Sequence, residues 1–397
     1  MLMQGFSVRT TCPVCGGGKH RPLIRINDAP LLCNLLHSSR EEALHAPRGT
    51  IELVFCLHCG HLYNAAFDRE RISYPPGYDN ALHYSGHYRQ YAEQEARRLS
   101  AAYLLEGRRV MDIGCGDGAF LELLRRLGCG ECMGFEPARD SRADAPVGDG
   151  ITIIPNTFPG GFSNITADLY VARHVLEHLA DPRSLLKAVR AAMHSDQPVL
   201  FLEVPDGAFL LAQGSVWDII YEHVSCFTAG SLSHLLHLTG FSPDTPRSVF
   251  AGQYLAVDAF PAESATLPDR GQIRNAMTET GRLLKGFLAR SASRRKQAEK
   301  LLRAALADGR RAVIWGAGSK GVALLNSLPA GVNMPCIIDI HPGKQGKFVP
   351  VTGQQVMGPE FLADYRPETV FIVNNIYRGE IQALLDRLSI VARLHSI

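Results

Sequence analysis

The chain has 397 residues, 46% of them hydrophobic and 20% charged, which supports packed cores rather than disorder; at roughly 100–200 residues per domain it makes two to four domains. Lysine and arginine (41) nearly balance aspartate and glutamate (39), so no overall field would gather a polyanion and nucleic-acid binding is not indicated. No segment approaches the ~20 uninterrupted apolar residues of a membrane span.

The first residues, Met1 to Arg9, run into Thr11 and Cys12 without an apolar stretch that a signal peptide needs. The expected location is therefore the cytoplasm. Four of the ten cysteines follow in two pairs, Cys12-Pro13-Val14-Cys15 and Cys56-Leu57-His58-Cys59, separated by 40 residues. In a reducing compartment such pairs mean metal or redox chemistry before disulfides. Each pair on a tight turn offers two thiolates, and two turns complete a tetrahedral zinc shell. Gly16 and Gly60 directly follow the pairs, where the turn must relax backbone geometry. Four unrelated thiols remain the bland alternative, and His58 or His61 could replace a thiolate. An all-cysteine shell leaves no open position, so the expected role is structural.

A tyrosine-rich stretch, Tyr74 to Tyr91, leads into a helical pattern from Tyr88 to Glu106 and then a strand, Arg109 to Ile113. Strand and helix signals alternate to about residue 260, which predicts an open, mostly parallel sheet. The strand feeds Gly114-Cys115-Gly116-Asp117-Gly118 and a helix. Those glycines let backbone approach a ligand where side chains would clash. The next strand, Cys132 to Phe135, ends in Glu136, an acid placed to accept two ribose hydroxyls. A third strand, Asp168 to Ala172, leads into Arg173-His174-Val175-Leu176-Glu177-His178.

Residues 268–308 lack strand signals and read as one or two amphipathic helices. A second strand–glycine–helix unit opens at Ala312 and runs through Trp315-Gly316-Ala317-Gly318-Ser319-Lys320-Gly321. Its amides would meet a phosphate at the helix N-terminus, with positive charge from Lys320, Lys344 and Lys347.

Gly114 to Gly118 follow Gly-x-Gly-x-Gly, the motif I spacing of class I methyltransferases. Together with the cysteine pairs, Tyr221-Glu222-His223 and Lys344-Gln345-Gly346, the chain resembles the three-domain deoxysugar C-methyltransferases of antibiotic biosynthesis over nearly its whole length. The resemblance implies an α/β fold: a zinc-binding domain (1–75), a class I methyltransferase core (76–265), then a helical connector with a second Rossmann-like domain (266–397). It implies S-adenosylmethionine held by Asp112, Gly114, Gly116, Asp117 and Glu136, with Arg173, His174, Tyr84 and Ser85 beside it. Tyr78 and His83 would line the substrate pocket, and Lys320 and Lys344 would hold a nucleoside diphosphate. His223 is expected as the base that removes a proton α to a ketone, Glu222 as its partner, and His178 and Tyr221 as donors to the enolate oxygen. The resulting enolate carbon would attack the cofactor methyl.

Simpler readings stand beside these. Tyr221 reads equally as a core aromatic, one of His174 and His178 as a packing residue, and the tyrosine loop as a surface lid. Where the family has Tyr-Asp-Glu-His this chain has Ile220-Tyr221-Glu222-His223, and where it has His-Gly-Gly this chain has Ala251-Gly252-Gln253. Those departures bear on the substrate more than on the reaction. The competing functions are an O- or N-methyltransferase acting on another small metabolite, and a non-catalytic protein that keeps the cofactor fold. A monomer and a homodimer are both compatible with the sequence.

Overall fold

A computed structural model describes residues 11–75, 77–139, 149–160, 165–265, 269–329, 331–332 and 334–397. The N-terminal residues inspected for a leader, and Pro76 of the tyrosine-rich stretch, lie outside them.

Three sheets organise the chain. In the first, His20–Pro30 pairs antiparallel with Arg48–Cys56, which pairs with Leu62–Asn64. Its fourth strand comes from far along the chain: Ser225–Cys226 pairs antiparallel with Leu62 and Tyr63. Gly16 and Gly60 both take φ 75°, a left-handed conformation that glycine adopts without steric cost, and their amides close turns onto Cys12 and Cys56.

The central sheet runs in the order Phe241–Pro243, Tyr254–Pro261, Val199–Pro205, Leu169–Arg173, Val110–Ile113, Cys132–Phe135, Ile151–Ile154. Its last five strands are parallel, and Tyr254–Pro261 runs against Val199–Pro205. Val110–Ile113 and Cys132–Phe135 are buried along their whole lengths, as strands covered on both faces must be. Chain order reverses between Val110–Ile113 and Leu169–Arg173. Ligands of open α/β sheets bind at such a switch point, beyond the carboxyl ends of the strands.

Two helices, Arg270–Leu284 and Phe287–Leu306, cross to the third sheet. That sheet is wholly parallel, in the order Gln355–Met357, Cys336–Ile338, Ala312–Trp315, Thr369–Ile372, Arg393–Ser396. It repeats the winding of the central parallel strands and has its own switch point after Trp315. The sheets share apolar cores: Leu53 and Phe55 of the first, Trp217 and Ile220 of the middle segment, Phe287 of the crossing helix and Ile314 of the third belong to one buried cluster. No helix among the described residues is long and apolar enough to cross a membrane.

Candidate active site

The loop after Val110–Ile113 has Gly114, Gly116 and Gly118 at φ 73°, 58° and 87°, where a side chain would be strained. A Cβ on Gly114 would strike Val175 at 2.4 Å, whereas one on Gly116 would meet nothing within 4 Å. The loop is thus packed behind and open in front. Glu136 ties it down, accepting from the Gly116 amide at 2.9 Å and the Ala138 amide at 2.9 Å. Asp112 is buried, with Oδ1 unpartnered. Burial pushes its carboxyl up to about 7, with Arg173 opposing and Glu136 adding to the rise. An unpaired buried carboxylate beside an open glycine turn is what an α-ammonium with an adjacent ribose needs, so the cradle fits S-adenosylmethionine.

Beneath the loop lies a charged network. Arg173 pairs with Glu203 at 2.9 Å, donates to the Tyr88 hydroxyl at 3.0 Å and covers the Phe120 ring at 4.3 Å. Glu203 also accepts from the Tyr91 hydroxyl. Against the effect of burial, Arg173 and His174 hold Glu203 down to about 2. His174 sits at φ 56° with Nε2 3.0 Å from Glu203 and Nδ1 3.5 Å from Glu177. Burial alone would lower its pKa, but the two carboxylates hold it up to about 9. Arg173 therefore ties Glu203, Tyr88 and the Phe120 ring together, and His174, whose protonated form the carboxylates favour, lines the cavity.

One cavity runs from His174, Glu177 and His223 on the core to Gly316, Gly318, Lys320 and Lys344 on the third sheet. His178 and His223 stack edge to face with centroids 4.9 Å apart. Burial drives both down to about 4, so both rings are neutral near pH 7. The two histidines at 174 and 178 do not share a helix face, because only the short turn Leu176–His178 forms there. Glu222 is fully buried; Oε1 accepts from the Cys33 amide at 2.8 Å and Oε2 is unpartnered. Its carboxyl is raised to about 7 by burial, with Tyr78 acting to lower it.

Tyr221 must be reassigned. Its ring packs against Phe67 and fills the space over Gly49, and its hydroxyl accepts from the Asp68 amide at 3.0 Å. Tyr221 and Glu222 are the two central residues of a turn closed by the His223 amide on the Ile220 carbonyl at 3.2 Å; from it Tyr221 enters the core while Glu222 reaches the Cys33 amide. The hydroxyl beside the histidines comes from Tyr74, 3.1 Å from His178 Nδ1, with Tyr78 packed edge-on against it. The tyrosine-rich composition of that stretch was the available signal, but not which member would arrive.

Other expected residues are engaged with partners of their own. Ser85 caps the helix Gly86–Tyr103 and donates to Glu380 at 2.6 Å. Tyr84 packs on His341 at 4.1 Å, and His83 lies 3.5 Å from Asp117. Lys320 is neutralised by Asp218 at 3.1 Å and donates to Gln253, which also accepts from Asn374. Lys344 is different: it is 7% exposed and its ammonium donates to the Ala317 carbonyl at 3.4 Å. Asp339, unmarked in the sequence reading, accepts from the Ala317 amide at 2.7 Å. That repeats the bond from Gly116 to Glu136 in the core.

At the N-terminus the four sulfurs of Cys12, Cys15, Cys56 and Cys59 gather within 4.8 Å of one another. Amides of Gly17 and His58 point at Cys15 and Cys56, each at 3.4 Å. This set suits a tetrahedral zinc ion. His61 is outside it, with Nε2 3.1 Å from the Ser225 hydroxyl.

Residues 84–245 match the family model of a methyltransferase domain, and residues 272–389 that of a C-methyltransferase C-terminal domain. Over 93% of its length the chain is 27% identical to the C-methyltransferase NovU of Streptomyces niveus, covering 90% of that protein. A 115-residue stretch is 31% identical to a ubiquinone biosynthesis O-methyltransferase of Vibrio campbellii, reaching 26% of this chain and 49% of that one. A methyltransferase of Mesorhizobium loti aligns with 43% of the chain at 19% identity and TM-score 0.33, over 97% of its own length. The doubly wound core with its glycine cradle, matched as a methyltransferase domain, is that of a class I S-adenosylmethionine-dependent methyltransferase. The C-terminal match is to a C-methyltransferase domain, and the end-to-end likeness is to the C-methyltransferase NovU.

Proposed function

We propose that the protein methylates a carbon next to a ketone in a nucleotide-linked sugar. One observation carries the reading: a single cavity joins His223 and His174 at the carboxyl edge of the core to the glycine turn and Lys344 at the carboxyl edge of the third sheet. A ligand filling it has a neutral end to be deprotonated and an anionic end that meets amides and the Lys344 ammonium.

When bound, S-adenosylmethionine supplies an electrophilic methyl group on a sulfonium. Asp112 pairs with its ammonium and Glu136 receives its ribose hydroxyls. His223 faces the cavity and takes the α-proton of the ketone onto its ring nitrogen. Glu222, anchored by the Cys33 amide, fixes the segment that carries His223. His178, oriented by Tyr74, hydrogen-bonds the oxygen on which the enolate charge collects. Lys344 and the amides after Ala317, whose own amide is held by Asp339, take the diphosphate, while Lys320, already paired with Asp218, positions Gln253. Zinc on the four cysteines holds the N-terminal sheet, and thiols kept reduced for that purpose fit a cytoplasmic protein. The division into units 1–75, 76–265 and 266–397 is part of this reading.

The test is turnover of a nucleotide-linked 4-keto sugar in deuterated water without and with the cofactor. Deuterium entering the unreacted sugar, and both exchange and methylation lost in His223→Ala, are expected. Methylation without any exchange would reassign the acceptor to oxygen or nitrogen.

A further inference from the structure

Besides the four-cysteine cluster, one more set of metal-ligating side chains converges among the described residues. Glu177, His178 and His223 each bring a ligand atom within 4.8 Å of the others. Glu177 is 1% exposed, lines the cavity, and has no hydrogen-bond partner for either carboxylate oxygen. The cation beside it, His174 Nδ1, stands 3.5 Å from Oε1, too far to satisfy it. The ion pair offsets part of the carboxylate's charge, but a buried carboxylate with both oxygens short of a hydrogen bond still favours a closer cation or donor.

The geometry of its neighbours decides which. His178 offers Nδ1 to the Tyr74 hydroxyl at 3.1 Å. A histidine that spends one nitrogen on an outer hydrogen bond presents the other to a metal, and that bond sets ring orientation and tautomer. His223 contributes its nitrogen from the opposite wall, edge-on to His178. Two imidazole nitrogens with one carboxylate oxygen suit zinc, cobalt or nickel rather than magnesium or calcium. Three protein ligands also leave coordination positions open, unlike the closed thiolate shell.

We propose that Glu177, His178 and His223 form a second, open metal site that takes a divalent transition cation. The cation occupies the same His223 lone pair that proton removal from the substrate requires. Metal binding and catalysis are therefore exclusive, and free transition metal is an inhibitor that acts at the base itself. Metal uptake is read without substrate, so its outcome is separate from that of the carbon-acid reading.

The experiment titrates full-length protein, its cysteine cluster loaded with zinc, with cobalt(II). Ligand-field absorption lacking thiolate charge transfer should saturate at one added equivalent and vanish in Glu177→Gln and in His223→Asn. Both variants should still bind S-adenosylmethionine, which shows that they fold. Saturating cobalt should lower turnover by about the 10²- to 10⁴-fold that a general base contributes, and a chelator too weak to strip the thiolates should restore it. No uptake beyond the cysteine cluster, or uptake that survives both substitutions, would overturn the site.

Discussion

Asp112 shows how much one side chain's surroundings decide. Burial lifts its carboxyl from 3.8 to about 7, so in the empty protein the proton is held more tightly than in the unfolded chain. That contribution to stability is complete below pH 3.8 and is lost as pH rises through about 7. Cofactor affinity runs the other way, because only the ionised carboxylate pairs with an ammonium. We expect the apparent Kd for S-adenosylmethionine to weaken about tenfold per pH unit below 7 and to level off above it. Asp112→Asn should bind weakly and without this slope, as calorimetry across pH would show. The place of Asp112 beside the turn was legible, because it lies one residue before the end of the strand that feeds Gly-x-Gly-x-Gly. Tyr221 was not: its place depends on which residue of a turn faces Gly49 and Phe67, contacts more than 150 residues away in the chain. Tyr74 and Glu203 escaped for the same reason, since their partners His178, Arg173 and Tyr91 come from other elements.

At the level of elements, two strand–turn–helix units do parallel work. Each glycine turn is latched by the acid that ends the next strand, Glu136 in the core and Asp339 in the third sheet. Each also depends on close packing of helix on strand. A Cβ on Gly134 would meet Cys115 Sγ at 2.4 Å, and one on Gly321 would meet the Gly316 carbonyl oxygen at 1.9 Å. Gly321→Ala must push the helix Ser319–Ser327 off its turn, at a cost of about 1–3 kcal/mol. A lowered Tm, with a weaker grip on the substrate nucleotide than on the cofactor, is the expected result. An unchanged Tm would mean that the turn moves freely. These units could be read from sequence because glycine spacing and apolar runs are local signals. The strand Ser225–Cys226 could not: two residues carry no periodicity, and it exists only because Leu62 and Tyr63 lie beside it.

Across the whole molecule, three sheets close on one cavity and several straps hold them there. Asp79 reaches His341 at 2.8 Å, Ser85 reaches Glu380, and Trp217 donates to Ser327 at 2.9 Å. The N-terminal region meets the proposed catalytic segment through two links, the Cys33 amide on Glu222 and the pairing of Leu62 with Cys226. Stripping zinc should therefore abolish turnover while the glycine cradle, in a different sheet, still binds S-adenosylmethionine. Chelation followed by calorimetry checks this, and loss of cofactor affinity in parallel would show that zinc supports the core directly.

The borrowed strand also limits how such a protein can be rearranged. Exchanging the first 75 residues with those of a relative would set a foreign sheet edge against a native Ser225–Cys226, two residues from His223. A chimera built that way inherits a mismatched seam beside its own reactive centre. Segments 11–75 and 219–228 should travel as a single heritable block, although more than 140 residues of sequence lie between them.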